Sequence, residues 1–313
     1  MEWTEYWKNF VKQKKLQDKV NEMNLIDDEK NNQNRIETIC RDIYYDYEKH
    51  SKELEKIRLN LVKIVETFPE VYLWTSRVKK IDSLLEKVII KRHEHLMDAK
   101  NLYSGINVDN YKNILTDLVG IRLIINYRGR WSDIHNAIIK EFSYPTDMKI
   151  YEMHKYVPHP QSGASIIAEI PVAYYAYGDD ISMYKSMGVQ TKLRENGYRS
   201  VHYIISFQKT YIEIQTRTIY DEAWSDCDHS YVYKHEENAS HSALEELSRI
   251  LCKLTNASDD LGEEMREIFS GELIQEVDSK YKVENNIKLQ IEKILDKISE
   301  TQNQLELFGK RLM

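Results

Sequence analysis

The sequence predicts an α+β fold, in which a mixed β-sheet core with packed helices lies between helical extensions. Residues 1–69 are rich in Lys, Glu, Asn and Leu, and they hold no glycine and no proline before Pro69. Residues 70–241 alternate β-rich apolar runs with segments of helical spacing, as when a sheet and helices pack together. Residues 242–313 return to helical spacing. We therefore expect an N-terminal helical extension, a central core and a C-terminal helical region with these bounds.

Composition and charge narrow the class of protein. The 313 residues are 42% hydrophobic and 30% charged, as in a folded chain. A net charge of −7 argues against a chain-wide nucleic-acid surface, which would be basic. No apolar run has membrane-spanning length, and no signal peptide is apparent. Cys40, Cys227 and Cys252 form no CxxC pair, so we expect no disulfide framework and a cytoplasmic location.

The N-terminal extension shows the period of a half-buried helix. Leu54, Ile57, Leu61, Ile64 and Phe68 recur at alternating steps of three and four residues, which places them on one helical face. We expect this face to pack as a helical layer on the core.

The central region predicts strands and helices in alternation. In chain order they are the strand VYLWTSRVK, the helix IDSLLEKVIIKRHEH, the strand GIRLIINY, the helix WSDIHNAIIKEF, the strands KIYEMHKYV and ASIIAEIPVAYYAYG, the strand pair VHYIISFQ and YIEIQTR, and the helix IYDEAWSDCDHSYVYKH. Ser132 or Asp133 is the predicted N-cap of the second helix, because their side-chain oxygens can accept from free backbone N–H groups. The strand pair turns at Lys209 and Thr210.

The C-terminal region carries a heptad-like stripe. Its members are Ile287, Ile291, Ile294, Ile298, Leu305 and Phe308. Such a stripe is typical of a helix that packs lengthwise against another helix. It predicts either packing on the chain's own core or self-association into a homo-oligomer.

Several common catalytic motifs are absent from the sequence. It contains no GxxxxGK[ST] phosphate loop, no GxGxxG fingerprint, no GxSxG elbow and no HExxH motif. His93 and His95 are two residues apart, whereas two metal ligands on one helical face need a spacing of four. P-loop, dinucleotide-binding, serine-hydrolase and zinc-protease chemistry are therefore not expected.

A basic segment follows the first predicted strand. Arg77 and Lys79 alternate on the extended stretch, and Ser83 and Lys87 are four residues apart on the following helix, so each pair shares a face. Cations and a hydroxyl near a helix start suit a polyphosphate. An ordinary basic helix surface is the alternative.

Two further strands carry charges. Asp117 precedes the run GIRLII, and Arg122 lies inside it, which is costly unless the charge is paired or used. Glu213, Gln215 and Arg217 alternate along YIEIQTRT and fill one strand face. These charged side chains predict the wall of a cleft. The simpler alternative is a structural ion pair at Arg122 and a solvated edge strand at Glu213.

An Asn-Gly pair predicts a tight turn before the strand VHYIISFQ. Tyr198, Ser200 and His202 alternate after Asn196-Gly197 and face one way. A Tyr beside such a turn can present its flat face to a nucleobase. A hairpin with an aromatic cross-strand pair is the alternative.

Taken in order, these segments resemble the RelA/SpoT synthetase domain, whose members make the alarmones ppGpp and pppGpp. The resemblance covers about residues 70 to 240 and rests on RVKxxxSxxxK, DLVGIR, NGYRSVH, EIQTRT and WSDCDHxxxYK. It implies a nucleotidyltransferase-like mixed sheet with packed helices. It also implies a GTP/GDP diphosphokinase, which transfers the β,γ-diphosphate of ATP to the ribose 3′-hydroxyl of GTP or GDP and releases AMP.

The resemblance implies a role for each matched residue. Asp117 would hold Mg²⁺, and Glu213 would assist the metal and take the proton of the 3′-hydroxyl. The implied ATP-side residues are Arg77, Lys79, Ser83, Lys87 and Arg122, and the implied acceptor-side residues are Arg194, Asn196, Tyr198, His202, Gln215 and Arg217. His229 and Lys234 match the supporting motif that follows the glutamate strand.

Departures from the family pattern fall mostly on the acceptor side. Leu193-Arg194-Glu195 replaces a frequent Pro-Lys-x, and Arg differs from Lys in geometry. Val189 and Gln190 stand where a Tyr is frequent. The 3′-end of tRNA, as in toxin-type relatives, and an adenine nucleotide therefore remain alternative acceptors. An interaction module without catalysis is the alternative from another class, and the presence of both acidic residues argues against it.

The resemblance also implies partners and regulation. The hydrolase and regulatory domains of the long bifunctional members are not apparent, so we expect a small stand-alone synthetase. A synthetase that cannot degrade its product predicts a neutralising partner protein or tight regulation. ATP and GTP or GDP are the expected ligands, tRNA only in the toxin-type interpretation, and no membrane partner is expected.

Overall fold

The computed structural model describes residues 2–27, 35–145, 165–232 and 241–270, together with isolated helical positions between 292 and 310. Its α-helices are α1 (Trp3–Gln13), α2 (Gln17–Asp27), α3 (Ile36–Val65), α4 (Ile81–Glu94), α5 (Tyr111–Ile114), α6 (Trp131–Glu141), α7 (Ser182–Ser186), α8 (Ile219–Tyr231) and α9 (His241–Ser270). Its strands are β1 (Leu73–Val78), β2 (Val119–Ile125), β3 (Ile166–Ile167), β4 (Val172–Tyr175), β5 (Gln190–Leu193), β6 (Ser200–Phe207) and β7 (Thr210–Thr218).

The strands within these residues form one mixed sheet. Their order is β1-β2-β7-β6-β4-β5, and β3 also pairs with β6. Strands β2 and β7 run parallel, as do β4 and β5, whereas the remaining pairs are antiparallel. A mixed sheet with packed helices and with helices at both ends confirms the predicted α+β class. Because β7 lies between β2 and β6, the alternative of an edge strand at Glu213 is wrong.

One face of the sheet is apolar and forms the core. Ile121 of β2, Ile214 of β7 and Tyr203 of β6 stand in one cross-strand row, and each is at most 1% exposed. Helices α3, α4 and α6 supply further fully buried side chains, which are Leu61, Val65, Leu84, Val88, Ile134 and Ile138. Each such side chain contributes roughly 1.5–3 kcal/mol when it leaves water. The apolar face therefore holds helices and sheet together.

The helical layer predicted for the N-terminal extension is confirmed by α3. Leu54, Ile57 and Leu61 are buried, and Ile64 packs partly buried against the same core. Phe68 follows the end of α3 and packs there as well. The three- and four-residue period therefore identified the correct face of this helix.

Some details of the sequence prediction differ from the structure or lie outside it. The cap prediction for α6 is wrong, because a 3₁₀ turn leads directly into the helix and Arg130 occupies the N-cap position ahead of Ser132 and Asp133. The predicted strand at 149–157, Lys234 and the stripe residues between 287 and 308 lie outside the described residues.

None of the described helices has the length and apolar character needed to cross a membrane.

Helix α9 is attached to the core by polar contacts. The indole Nε1 of Trp224 on α8 donates to the Ser248 carbonyl oxygen at 3.0 Å, and Ser248 Oγ donates to Asp228 Oδ1 at 2.6 Å. Further along α9, Asp259 accepts from Nη2 of Arg128 at 2.7 Å. Burial raises the pKa of Asp259 to about 6 despite the charge of Arg128. The described part of the C-terminal region is therefore bound to both α8 and the segment that follows β2.

A buried ion pair holds the Asn-Gly turn that precedes β6. Arg199 donates to both carboxylate oxygens of Asp179, at 2.7 and 2.9 Å, and both side chains are at most 12% exposed. The predicted turn is present, since the Gly197 N–H donates to the Arg194 carbonyl at 3.1 Å. Gly197 has φ +89°, and a Cβ there would collide with Cys252 of α9. Only glycine therefore fits this turn.

Asp179→Ala is expected to lower the free energy of unfolding by about 3 kcal/mol, because it leaves the Arg199 guanidinium buried without its carboxylate. Urea denaturation of the full chain measures the change. Asp180→Ala is the matched control, since Asp180 is exposed and accepts from the backbone N–H of Ser182. We expect the control to change stability by less than about 1 kcal/mol. Equal losses in the two variants would contradict this role of the pair.

Candidate active site

The polar face of the sheet carries predicted site residues in cross-strand rows. Arg77, Gly120 and Glu213 stand side by side on β1, β2 and β7, and Arg122 is paired with Gln215 one row further along. A cavity of about 200 Å³ lies over these rows. It is lined by Thr75, Ser76, Arg77, Asp117, Gly120, Ile121, Arg122, Glu213 and Gln215. We call it the donor cavity, because it unites residues that the resemblance assigns to ATP and to catalysis.

Asp117, in the turn before β2, receives two lysine side chains. Its Oδ2 lies 2.7 Å from Nζ of Lys79 and 2.9 Å from Nζ of Lys87. Burial acts to raise the pKa of Asp117, but the two ammonium groups outweigh it and hold that pKa at about 2. Burial in turn lowers the pKa of Lys79, against the opposing effect of Asp117. Asp117 is therefore an anion at neutral pH.

Glu213 is held from two sides. His202 Nδ1 lies 3.2 Å from Oε1, and Gln215 Nε2 donates to Oε2 at 2.7 Å. Burial acts to raise the pKa of Glu213, yet the contacts with His202 and Gln215 outweigh it and leave the pKa below its ordinary value. The carboxylate is thus ionised at neutral pH, and it is available to accept a proton.

A chain of hydrogen bonds leads from Glu213 to Tyr198. The Tyr198 hydroxyl oxygen lies 2.9 Å from His202 Nε2 and accepts from Arg217 Nη2 at 3.1 Å. One order of protons satisfies every group: Tyr198 donates to Nε2, and the Nδ1–H of His202 donates to Glu213. Burial raises the pKa of Tyr198, so its hydroxyl keeps the proton that this order requires.

Glu222 of α8 joins two arginines and was not singled out from the sequence. Its Oε1 lies 3.0 Å from Arg122 Nη1, and its Oε2 lies 3.1 Å from Arg217 Nη1. The Arg217 side chain is only 2% exposed, and its Nη2 also donates to Gln215 Oε1 at 2.5 Å. Two arginines on one sheet face need a counter-charge. A glutamate in the first turn of the helix that follows β7 was the signal available in the sequence.

A second cavity adjoins Tyr198, and we call it the acceptor cavity. It is lined by Leu193, Arg194, Glu195, Asn196, Tyr198, Ser225, Asp228 and His229. Tyr174 of β4, also missed in the sequence, packs edge-on to Tyr198 with ring centres 5.9 Å apart. The Arg194 guanidinium lies 4.6 Å from the centre of the Tyr174 ring. Tyr198 precedes the first residue of β6, so this ring contact is not the hairpin cross-strand pair considered as an alternative, and Tyr198 lines a cavity as well.

The structure thus brings most of the predicted residues to two cavities, which the chain Tyr198–His202–Glu213 connects. Ser83 is half-buried on α4, one turn before Lys87, and is not among the residues that line either cavity. The supporting Lys234 lies outside the described residues.

Asp117 and Glu213 offer oxygen atoms that fit a divalent cation. Among the described residues, Oδ1 of Asp117 is buried without a hydrogen-bond partner, and both carboxylates line the donor cavity. No group of three or more His, Cys, Asp or Glu side chains suited to a metal occurs in this part of the chain. Mg²⁺ commonly takes one or two carboxylates and completes its shell with water and substrate phosphates. The residues present fit that mode of binding.

Asp117 predicts a pH-dependent contribution to stability. Because its pKa is lower in the folded chain than in the unfolded one, the contribution is full above about pH 4 and is lost as the pH falls toward 2. Asp117→Asn should lower the free energy of unfolding by about 2 kcal/mol at pH 5 and by much less at pH 2.5. Urea denaturation of both proteins over this range measures the gap. A gap that stays constant with pH would be inconsistent with the lysine–carboxylate cluster.

One comparison with known proteins identifies a family. Residues 76–238, slightly more than half of the 313, match the family described as a region found in RelA / SpoT proteins. No curated protein sequence matches the chain. Similar solved structures include a GTP pyrophosphokinase family protein from Streptococcus pneumoniae, at 16% identity and TM-score 0.46, covering 71% of this chain and 92% of that one. Small alarmone synthetase 1 from Bacillus subtilis is 20% identical with TM-score 0.44, covering 74% of this chain and 96% of that one.

The family match contains the three segments that build the site. These are the turn with Asp117, the turn with Tyr198 and the strand with Glu213. The order of motifs and the sequence match therefore agree, and the chain belongs to the RelA/SpoT family.

Proposed function

We propose that this protein is a GTP diphosphokinase, which transfers the β,γ-diphosphate of ATP to the ribose 3′-hydroxyl of GTP or GDP. At a coarser level, membership of the family indicates a pyrophosphokinase-type transferase. The observation that carries the proposal is the pair of ionised carboxylates in the donor cavity. Asp117 is flanked by Lys79 and Lys87, and Glu213 is connected through hydrogen bonds to the acceptor cavity.

In the proposed reaction, the 3′-oxygen of the acceptor attacks the β-phosphorus of ATP. Its proton passes to Glu213, which His202 and Gln215 hold in place and keep ionised. The bond between the β-phosphorus and the oxygen that bridges it to the α-phosphate breaks, and AMP leaves. Mg²⁺ held by Asp117 and Glu213 would neutralise charge on the phosphates.

The cations around the donor cavity suit the transferring phosphates. Lys79 and Lys87 already lie within 3 Å of Asp117, so a small side-chain movement would let them share their charge with a phosphate. Arg122 lines the same cavity while Glu222 fixes its guanidinium. Preorganised charges of this kind stabilise a transition state without reorganisation during the reaction. Exposed Arg77 at the cavity supplies a planar cation for stacking on adenine.

Charge beside the acceptor cavity supports a free nucleotide over tRNA. An adjoining groove carries the acidic side chains Glu195, Asp228, Glu245 and Glu246. Its arginine, Arg249, is already paired with Glu246 at 2.5 Å. Arg199, which directly follows Tyr198, is buried against Asp179. An acidic wall repels the phosphate backbone of a nucleic acid, whereas a mononucleotide need not cross it.

A transfer assay tests the proposal. Purified protein with Mg²⁺ and γ-labelled ATP is offered GDP, GTP, ATP and bulk tRNA in separate reactions. Label on GDP or GTP together with release of AMP is expected. Label on tRNA with the free nucleotides untouched would replace the proposal by the toxin-type activity. A labelled 3′-diphosphate of ATP as the only product would replace it by adenine-nucleotide alarmone synthesis.

Glu213→Gln is the matched control for this assay. It retains the shape and a hydrogen-bond acceptor but removes the base, so the rate should fall by at least about 100-fold while ATP binding persists. Unchanged turnover would remove Glu213 from its proposed role.

The neutralising partner, self-association and the proposed domain bounds stay predictions.

Tyr198 should act on the acceptor and not on ATP. Tyr198→Leu removes the aromatic face and is expected to raise KM for the acceptor about tenfold or more, with KM for ATP changed less than about twofold. Tyr198→Phe keeps the ring and loses the hydroxyl bonded to His202, so it should retain most of the acceptor affinity. Steady-state kinetics with each substrate varied in turn measures both constants. A parallel rise of the two KM values in Tyr198→Leu would rule out base stacking at this residue.

A further inference from the structure

Helix α3 contacts residues at and beside the donor cavity, although the helix lies outside the matched family region, which begins at residue 76. The hydroxyl of Tyr47 on α3 donates to the backbone carbonyl oxygen of Lys79 at 2.6 Å. Tyr47 is only 3% exposed, so no water competes freely for this bond. The residue whose ammonium group binds Asp117 is therefore held at its backbone by the N-terminal extension.

The backbone of Lys79 is fixed on its other side as well. Its N–H donates to the carbonyl of Leu118 at 2.8 Å, and Leu118 directly follows Asp117. Burial, and after it the charge of Asp117, raises the pKa of Tyr47, as expected for a hydroxyl close to that carboxylate. Tyr47, Lys79 and Asp117 are thus connected by hydrogen bonds, and the Tyr47 hydroxyl fixes the backbone position of Lys79.

A second contact from α3 reaches the same strand end. Nη1 of Arg58 donates to Oγ of Ser76 at 2.5 Å, and Glu55 orients Arg58 through a bond of 2.9 Å to its Nε. Ser76 lines the donor cavity. Helix α3 therefore contacts the chain on both sides of Arg77, at Ser76 and at Lys79.

We propose that Tyr47 is a positioning residue for the ATP site, which places Lys79 between Asp117 and the donor phosphates. The proposal rests on the proposed function, because it assigns Lys79 to the donor. Tyr47 itself does not touch the reacting atoms in this scheme. The proposal predicts that loss of this one hydroxyl group weakens the binding of ATP and leaves the binding of the acceptor unchanged.

The test is binding of a non-hydrolysable ATP analogue with Mg²⁺ to the full chain, measured by calorimetry. Tyr47→Phe removes only the hydroxyl and should raise Kd about fivefold or more, as expected for one lost hydrogen bond. Tyr111→Phe is the matched control. Tyr111, on α5, is also buried. Its hydroxyl donates to Asp46 of α3 at 2.8 Å and does not reach Lys79. Its Kd should stay within about twofold of the unsubstituted protein.

Steady-state kinetics gives the second measurement. Tyr47→Phe should raise KM for ATP by the same factor and leave KM for the acceptor unchanged, whereas a purely structural loss would affect both substrates. If Tyr47→Phe does not fold, Tyr47→Met carries the same test, because it also removes the hydroxyl while an adaptable apolar side chain fills the buried position. The proposal would be overturned if the Kd of Tyr47→Phe for the ATP analogue stayed within twofold of that of the unsubstituted protein. It would also be overturned if Tyr111→Phe lost as much affinity as Tyr47→Phe. No analogue binding by the unsubstituted protein would instead overturn the proposed function, and this inference with it.

Discussion

The ionised carboxylate of Asp117 is the constraint around which the donor side is built. Its side chain is only 16% exposed, and an isolated carboxylate at that depth would take up a proton. Lys79 and Lys87 keep it charged, and they come from different elements, the segment after β1 and the helix α4. Their convergence fixes how β1 and α4 sit against the turn that enters β2. The charges of the two lysines thus offset the cost of burying the Asp117 carboxylate.

The same balance extends across the polar face of the sheet. Glu222 neutralises Arg122 and Arg217, and His202 lies against Glu213. These charges have internal partners before any substrate binds, so their positions are set by the fold. In the reaction proposed above, such an arrangement would reduce the reorganisation required, which is how electrostatic preorganisation lowers a barrier.

The site also depends on elements outside the central motif region. Helix α9 places Cys252 against Gly197 in the turn before Tyr198, and α3 places Tyr47 against the Lys79 backbone. One extension therefore borders the acceptor side and the other the donor side. The central strand β7 connects the two, because its Glu213 lines the donor cavity while Arg217 bonds to the Tyr198 hydroxyl.

The sequence by itself determined the α+β class and the burial face of α3. It also determined that Asp117 precedes a strand, that Tyr198 follows a tight turn and that Glu213 lies on a strand. Each follows from local periodicity or from the order of short motifs, which do not depend on distant contacts. Tertiary structure alone decided that β7 is central, that Lys79 and Lys87 meet at Asp117, and that Glu222 joins two arginines. Arg122 and Glu222 are 100 positions apart, and a single glutamate on a helix has no periodic signal that names its partner. Tyr47 and Tyr174 were missed for the same reason, since only the register and packing of distant elements bring them to the site.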